Sequence, residues 1–221
     1  MRKLVSWGAR NMRQFPWRTR RTAYRVLVAE KLLQQTAARN AVADAFQQLM
    51  AFYPNPARLA AADLRQLKKI VRPLGFVYRA KELKTLGKAL SVLYKGRVPD
   101  DLPLLLHLPG VGDYSARAVL SFAFEQPVPV VDTNVARFLH RFFGVDSPMP
   151  SNPARSRTLL KLAAKLMPTT GKSSAFNFAL LDLCTSVCLP KTPKCAICPL
   201  QTACSTGQLV LARCNRSEAP P

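Results

Sequence analysis

Residues 108–120 read LPGVGDYSARAVL. Pro109-Gly110-Val111-Gly112 makes a tight turn with two glycines, Asp113 is a plausible N-cap, and the helix that follows turns Ala116, Val119 and Leu120 inward. Leucines 104–106 end a preceding helix, so the segment reads helix, hairpin, helix. Because Gly110 and Gly112 carry no side chain, a phosphate can approach the amide N–H groups at the start of the second helix, where the helix dipole also favours an anion. A Gly-x-Gly turn between helices is also an ordinary turn, so its weight depends on the rest of the chain.

Most of that surrounding chain is helical in pattern. Leu83, Leu86, Leu90 and Leu93 repeat at helical spacing, as do Val135, Phe138, Leu139 and Phe142, and Leu159, Leu162, Ala163 and Leu166. These stripes read as core. Gly75, Gly144, Pro168 and Gly171 punctuate the segments, and alternation of period two is confined to PVPVV at 127–131. The fold class is all-α, with a loose polar tail after about Leu211.

The composition says what such a fold would meet. Across 221 residues, 33 lysines and arginines stand against 12 acids, a net charge of +21. An excess of this size repels itself unless a polyanion sits nearby, and nucleic acid is the first candidate. The sequence has neither a membrane-length apolar run nor an export signal, so the chain reads as soluble and intracellular, cytoplasmic or nucleoid-associated. Without export, its six cysteines read as reduced. Cys188, Cys195, Cys198 and Cys204 follow the spacing C-x6-C-x2-C-x5-C, with a single Cys-x-x-Cys knuckle. That layout favours a [4Fe-4S] cluster over zinc, which usually takes two knuckles, and over disulfides. Cys184 reads as a small buried residue and Cys214 as a spectator.

Two carboxylates stand out. Asp132, in VPVVDTNVARFLHRFFG, heads a helix behind Val130 and Val131. It can be a simple cap, or a partly buried anion placed to face a developing cation. Glu30, in VLVAEKLLQQT, lies among Val26, Leu27, Leu32 and Leu33 on a mostly buried helix, where an unpaired carboxyl would have a raised pKa. A salt bridge to an arginine is the plainer alternative.

Together, FPWR at 15–18, EKLLQQT at 30–36, LPGVGDYSA at 108–116, VVDTNVAR at 130–137 and the four cysteines resemble the helix-hairpin-helix (HhH-GPD) DNA glycosylases that carry a [4Fe-4S] cluster. The resemblance implies two α-helical lobes with DNA across the cleft between them. One is a central helical barrel, 23–134, and the other joins 1–22 to 135–221 and carries the cluster on Cys188, Cys195, Cys198 and Cys204. Endonuclease III-type members carry a Schiff-base lysine two residues after the second hairpin glycine. Here that position is Tyr114, which implies a monofunctional glycosylase without strong lyase activity. Glu30, Tyr114, Asp132 and Asn134 match catalytic positions of the mismatch-specific adenine (MutY-type) and thymine glycosylases.

On that resemblance, Gln35 and Leu33 within Leu33-Gln34-Gln35-Thr36 fill the gap left by a flipped base. Trp17 and Arg18 face the extruded base, and Gly110, Val111 and Gly112 with Lys191 and Lys194 hold the backbone. Three features argue against adenine. Ala38 stands where adenine enzymes usually have a branched residue, Phe178 stands where they have a Gln or Glu, and the chain ends soon after the cysteines, without the domain that reads 8-oxoguanine. Thymine or uracil opposite guanine is the favoured base, and adenine opposite guanine or 8-oxoguanine the alternative. The partner is double-stranded DNA with a mispaired or damaged base, met by a monomer. Two other readings remain, a non-catalytic iron–sulfur DNA-binding protein and a lyase-type nuclease.

Overall fold

A computed structural model describes residues 2–36, 40–168 and 171–217, with side chains as far as residue 212. Ala38 and the side chain of Cys214 lie outside the described residues. In chain order the helices are α1 (Arg2–Asn11), α2 (Pro16–Thr19), α3 (Ala23–Leu33), α4 (Asn40–Phe52), α5 (Pro56–Ala60), α6 (Leu64–Val71), α7 (Arg79–Leu93), α8 (Leu102–Leu106), α9 (Asp113–Phe124), α10 (Thr133–Phe143), α11 (Arg157–Leu166), α12 (Ser173–Ser186) and α13 (Ser205–Ser217). The described residues contain no strand, and the fold is all-α. PVPVV runs as an extended loop.

Helix starts follow local chemistry. The side chains of Asn55, Asp63, Asp101, Asp132 and Ser156 each accept a hydrogen bond from an amide in the first turn of α5, α6, α8, α10 and α11. Gly144, at φ 63°, ends α10 in the left-handed conformation that glycine adopts most cheaply.

The chain divides into two compact units, Gln14–Phe124 and Met1–Arg13 with Glu125–Pro221. The resemblance had put the boundaries at 22/23 and 134/135. Packing accounts for where they fall. Trp17 is stacked on Phe15 with ring centroids 4.7 Å apart and lies edge-on to Phe46 of α4 at 5.7 Å, which ties residues 15–17 to the first unit. In the second unit Arg13 donates from its amide and its Nε to the buried Asp182 of α12, at 3.0 and 2.7 Å, and so anchors the N-terminal segment to the C-terminal half.

In the first unit α3 packs on α9 and α4, and α7 on α5 and α6. Leu83, Leu86 and Leu90 are fully buried there. In the second unit α12 packs against α1 and α10, and Val135, Phe138, Leu139 and Phe142 join Leu159, Ala163, Phe176 and Leu183 in one core. Burying a side chain of this size stabilises by roughly 2 kcal/mol. Gly8 allows α1 to approach closely, since a Cβ there would meet the Ala179 Cβ of α12.

Three local expectations are corrected. Leu93 is 68% exposed, because it is the last residue of α7 and lies beyond the packed part of the stripe. α9 begins at Asp113 itself, since the carbonyl of Gly112 already accepts the first helical bond from the Ala116 amide at 2.9 Å. The tail after Leu211 continues as α13 to Ser217, with no glycine or proline to stop it before Pro220.

Candidate active site

In the first unit, the C-terminal turn of α3 meets the hairpin between α8 and α9. Gly110 has φ 70°, the left-handed region that favours glycine, and a Cβ there would crowd the Lys31 Nζ. Gly112 is exposed and opens onto free space. Lys31 is buried, and its ammonium donates to the Gly110 carbonyl at 3.1 Å and to Gln34 Oε1 at 3.0 Å while pairing with Glu82 at 3.0 Å. Gln34 Nε2 donates to the same carbonyl at 3.0 Å and to the Ser115 hydroxyl at 3.4 Å. Gln34 is therefore a brace between the turn and the hairpin. Val111 is buried beneath the turn and Leu33 is half-buried. Gln35 is exposed and sits at φ 55°, a left-handed conformation that a non-glycine residue adopts at a cost of about 1 kcal/mol or more. Thr36 closes the turn, its amide donating to the Leu33 carbonyl at 3.1 Å.

Glu30 is 6% exposed on α3, and Tyr114 is half-buried in the first turn of α9. Trp17 is 6% exposed, with its indole against Phe15 and Phe46. The Arg18 guanidinium lies 5.4 Å over the Phe15 ring.

Asp132 and Asn134 belong to the second unit, at the head of α10. Asp132 is both a cap and a half-buried carboxylate: Oδ1 accepts from the Val135 amide at 2.7 Å, and Oδ2 accepts from Asn134 Nδ2 at 3.0 Å. Sequence reasoning missed the residues that hold this pair. Arg137 donates from Nη1 to Asn134 Oδ1 at 3.0 Å and from Nη2 to the carbonyls of Cys184 and Cys188 at 2.9 and 2.8 Å. Asn177 receives the Val130 amide at 3.2 Å and donates to the Val128 carbonyl at 3.1 Å, while Glu125 accepts from the Ser174 amide at 3.1 Å, so α12 pins the approach loop at both ends. An arginine three residues after Asn134 was a signal, but its partners lie about fifty residues away. Phe178 is buried in α12 at 5% exposure.

The four spaced cysteines come together, with Cys188, Cys195, Cys198 and Cys204 lining one pocket alongside Phe138, Arg141 and Val187. Among the described residues no three Cys, His, Asp or Glu side chains converge closely enough to hold a single metal ion. Burial pushes the Cys195 and Cys198 thiols above the ordinary cysteine range, and neighbouring cysteines push the same way because adjacent thiolates would repel. Arg141 stabilises the loop, donating to the carbonyls of Leu189 and Pro190 at 2.6 Å each, with Nη1 3.5 Å from Cys188 Sγ. Lys191 and Lys194 are exposed on that loop. Cys184 is fully buried inside α12, and burial raises its thiol further.

The chain is similar to known proteins over nearly all its length. It is 40% identical over 190 residues to a thymine/uracil-DNA glycosylase of Pyrobaculum aerophilum, covering 85% of this chain and 82% of that one. It is 36% identical over 200 residues to an adenine DNA glycosylase of Mycobacterium tuberculosis, covering 89% of this chain but 64% of that one. In structure it matches a thermostable thymine-DNA glycosylase with a TM-score of 0.86 at 32% identity, covering 94% of each chain. Residues 28–165, which contain the hairpin, Glu30 and Asp132, match the HhH-GPD superfamily of base excision DNA repair proteins, and the chain belongs to that family.

Proposed function

We propose that this protein is a monofunctional DNA glycosylase that removes thymine or uracil mispaired with guanine. The observation that carries this reading is Asp132, a half-buried carboxylate whose two oxygens are oriented by the Val135 amide and by Asn134. A base inside a duplex is beyond the reach of any side chain, so the nucleotide must leave the stack, and a mispair makes that easiest. The glycosidic bond then lengthens toward an oxocarbenium-like sugar, and a fixed carboxylate stabilises or traps that cation. Glu30 is assigned to protonating the departing base or orienting water, with Tyr114 and Asn134 positioning these groups. Tyr114 supplies no amine for strand cleavage.

Backbone phosphates are assigned to the hairpin amides around Gly110, Val111 and Gly112, with Lys191 and Lys194, and the extruded base to Trp17 and Arg18. Gln35, flanked by Leu33, is assigned to the vacated space in the stack. The bulk of Phe178 and the 40% identity to a thymine/uracil enzyme favour a pyrimidine. Adenine would leave its polar edge unpaired against an aromatic ring.

Four thiols lining one pocket, with a single Cys-x-x-Cys knuckle in the chain, fit a [4Fe-4S] cluster that Cys188, Cys195, Cys198 and Cys204 would hold. Such a cluster would supply a structural clamp for the loop that displays Lys191 and Lys194, and no step of base removal requires it.

The test is incubation of the purified protein with duplexes carrying G·T, G·U, A·G, A·8-oxoguanine or an oxidised pyrimidine, followed by hot alkali to reveal abasic sites. Cleavage of G·T and G·U is expected. Cleavage of the adenine duplexes alone would establish the adenine reading, and intact strands throughout would remove the enzyme reading. A borohydride-trapped adduct would restore lyase chemistry.

A further inference from the structure

We infer that Arg79 is a positioning residue for base flipping: its buried guanidinium holds the turn Leu33–Thr36 so that Gln35 is preset to enter the duplex. The inference rests on the assignment of Gln35 to the vacated space. Arg79 opens α7 and is 1% exposed, the largest fully buried side chain among the described residues. A surface arginine serving only solubility would not be there.

Three hydrogen bonds from its guanidinium converge on one short segment. Nη1 donates to the Leu32 carbonyl and to the Thr36 hydroxyl, each at 2.9 Å, and Nη2 donates to the Gln34 carbonyl. The guanidinium also lies 4.6 Å over the Phe76 ring, which fixes its plane. Carbonyls in the last turn of a helix have no amide partner within that helix, and Arg79 supplies the missing donors for α3. It takes a planar fork with several donors to reach three acceptors at once, a geometry that lysine lacks.

The consequence falls on Gln35. Residues 34 and 36 are held by Arg79 through backbone and hydroxyl, and the Gln34 side chain is held by Lys31 and the Gly110 carbonyl. Between them Gln35 keeps its left-handed backbone and an exposed side chain, which makes no hydrogen bond to a described residue. A wedge that had to be ordered during flipping would add its own entropy loss to the unstacking, whereas a clamped wedge has already lost it.

The experiment compares wild type, Arg79→Lys, Gln35→Ala and the double variant by stopped-flow fluorescence of a purine analogue stacked beside a G·U mispair. Arg79→Lys is expected to slow the fluorescence rise about tenfold, while affinity for a duplex already carrying an abasic site stays within about threefold and thermal melting stays cooperative. Because Arg79 acts through Gln35, the double variant should be no more than about twofold slower than Gln35→Ala alone. Wild-type flipping by Arg79→Lys overturns the inference, as does full additivity, which would make Arg79 a fold residue only. If Arg79→Lys does not fold, Thr36→Val removes one acceptor, and slowing of about threefold is expected; unchanged flipping then overturns the inference. Normal flipping by Gln35→Ala would instead sink the wedge assignment beneath it.

Discussion

At position 132 the distinction between a cap and a catalyst is a matter of one atom. Asparagine caps a helix as well as aspartate does, so Asp132→Asn should cost less than about 1 kcal/mol of stability. It removes the anion assigned to face the sugar. Base release should fall by about a hundredfold or more, with duplex affinity nearly unchanged, as measured by single-turnover cleavage and fluorescence anisotropy. An equally active variant would take Asp132 out of its assigned role. Arg137 makes a contrasting case, because it links Asn134 to two backbone carbonyls of the cysteine region. Arg137→Met leaves those acceptors without their donor, and thermal melting should report a loss of about 3 kcal/mol, along with slower base release as Asn134 loses its support.

Among the elements, the hairpin is the most demanding of its residues. Gly110→Ala places a methyl group against the buried Lys31 ammonium and forces an alanine to φ 70°. A loss of about 2 kcal/mol in urea unfolding is expected, with weaker binding to any duplex, since the turn presents amides rather than base-reading side chains. Gly112→Ala meets open space and provides the matched control for folding. The loop between Cys188 and Cys204 depends on its four thiols in the same way. Cys198→Ala should lower iron and sulfide content and reduce the melting temperature of the purified protein. Unaltered metal content would remove the cluster assignment.

Over the whole molecule, the net charge of +21 sets how it meets DNA. If about six phosphates are neutralised, affinity for any duplex should fall by about a thousandfold between roughly 50 and 200 mM salt, matched and mispaired alike, in an anisotropy titration. An affinity indifferent to salt would contradict a backbone-led encounter. Periodicity, caps and cysteine spacing are local properties, and they made the helical class, the stripe Val135–Phe142, the hairpin and the pocket-lining cysteines readable from residue order alone. The same local signals misplaced Leu93, because a stripe does not say where its packing partner ends. Only the tertiary structure revealed the buried cations Lys31 and Arg79 and the bridging Arg137. Each has acceptors between about 43 and 79 residues away in the chain. A charge can be buried only where folding gathers enough acceptors around it, and no local pattern records that gathering.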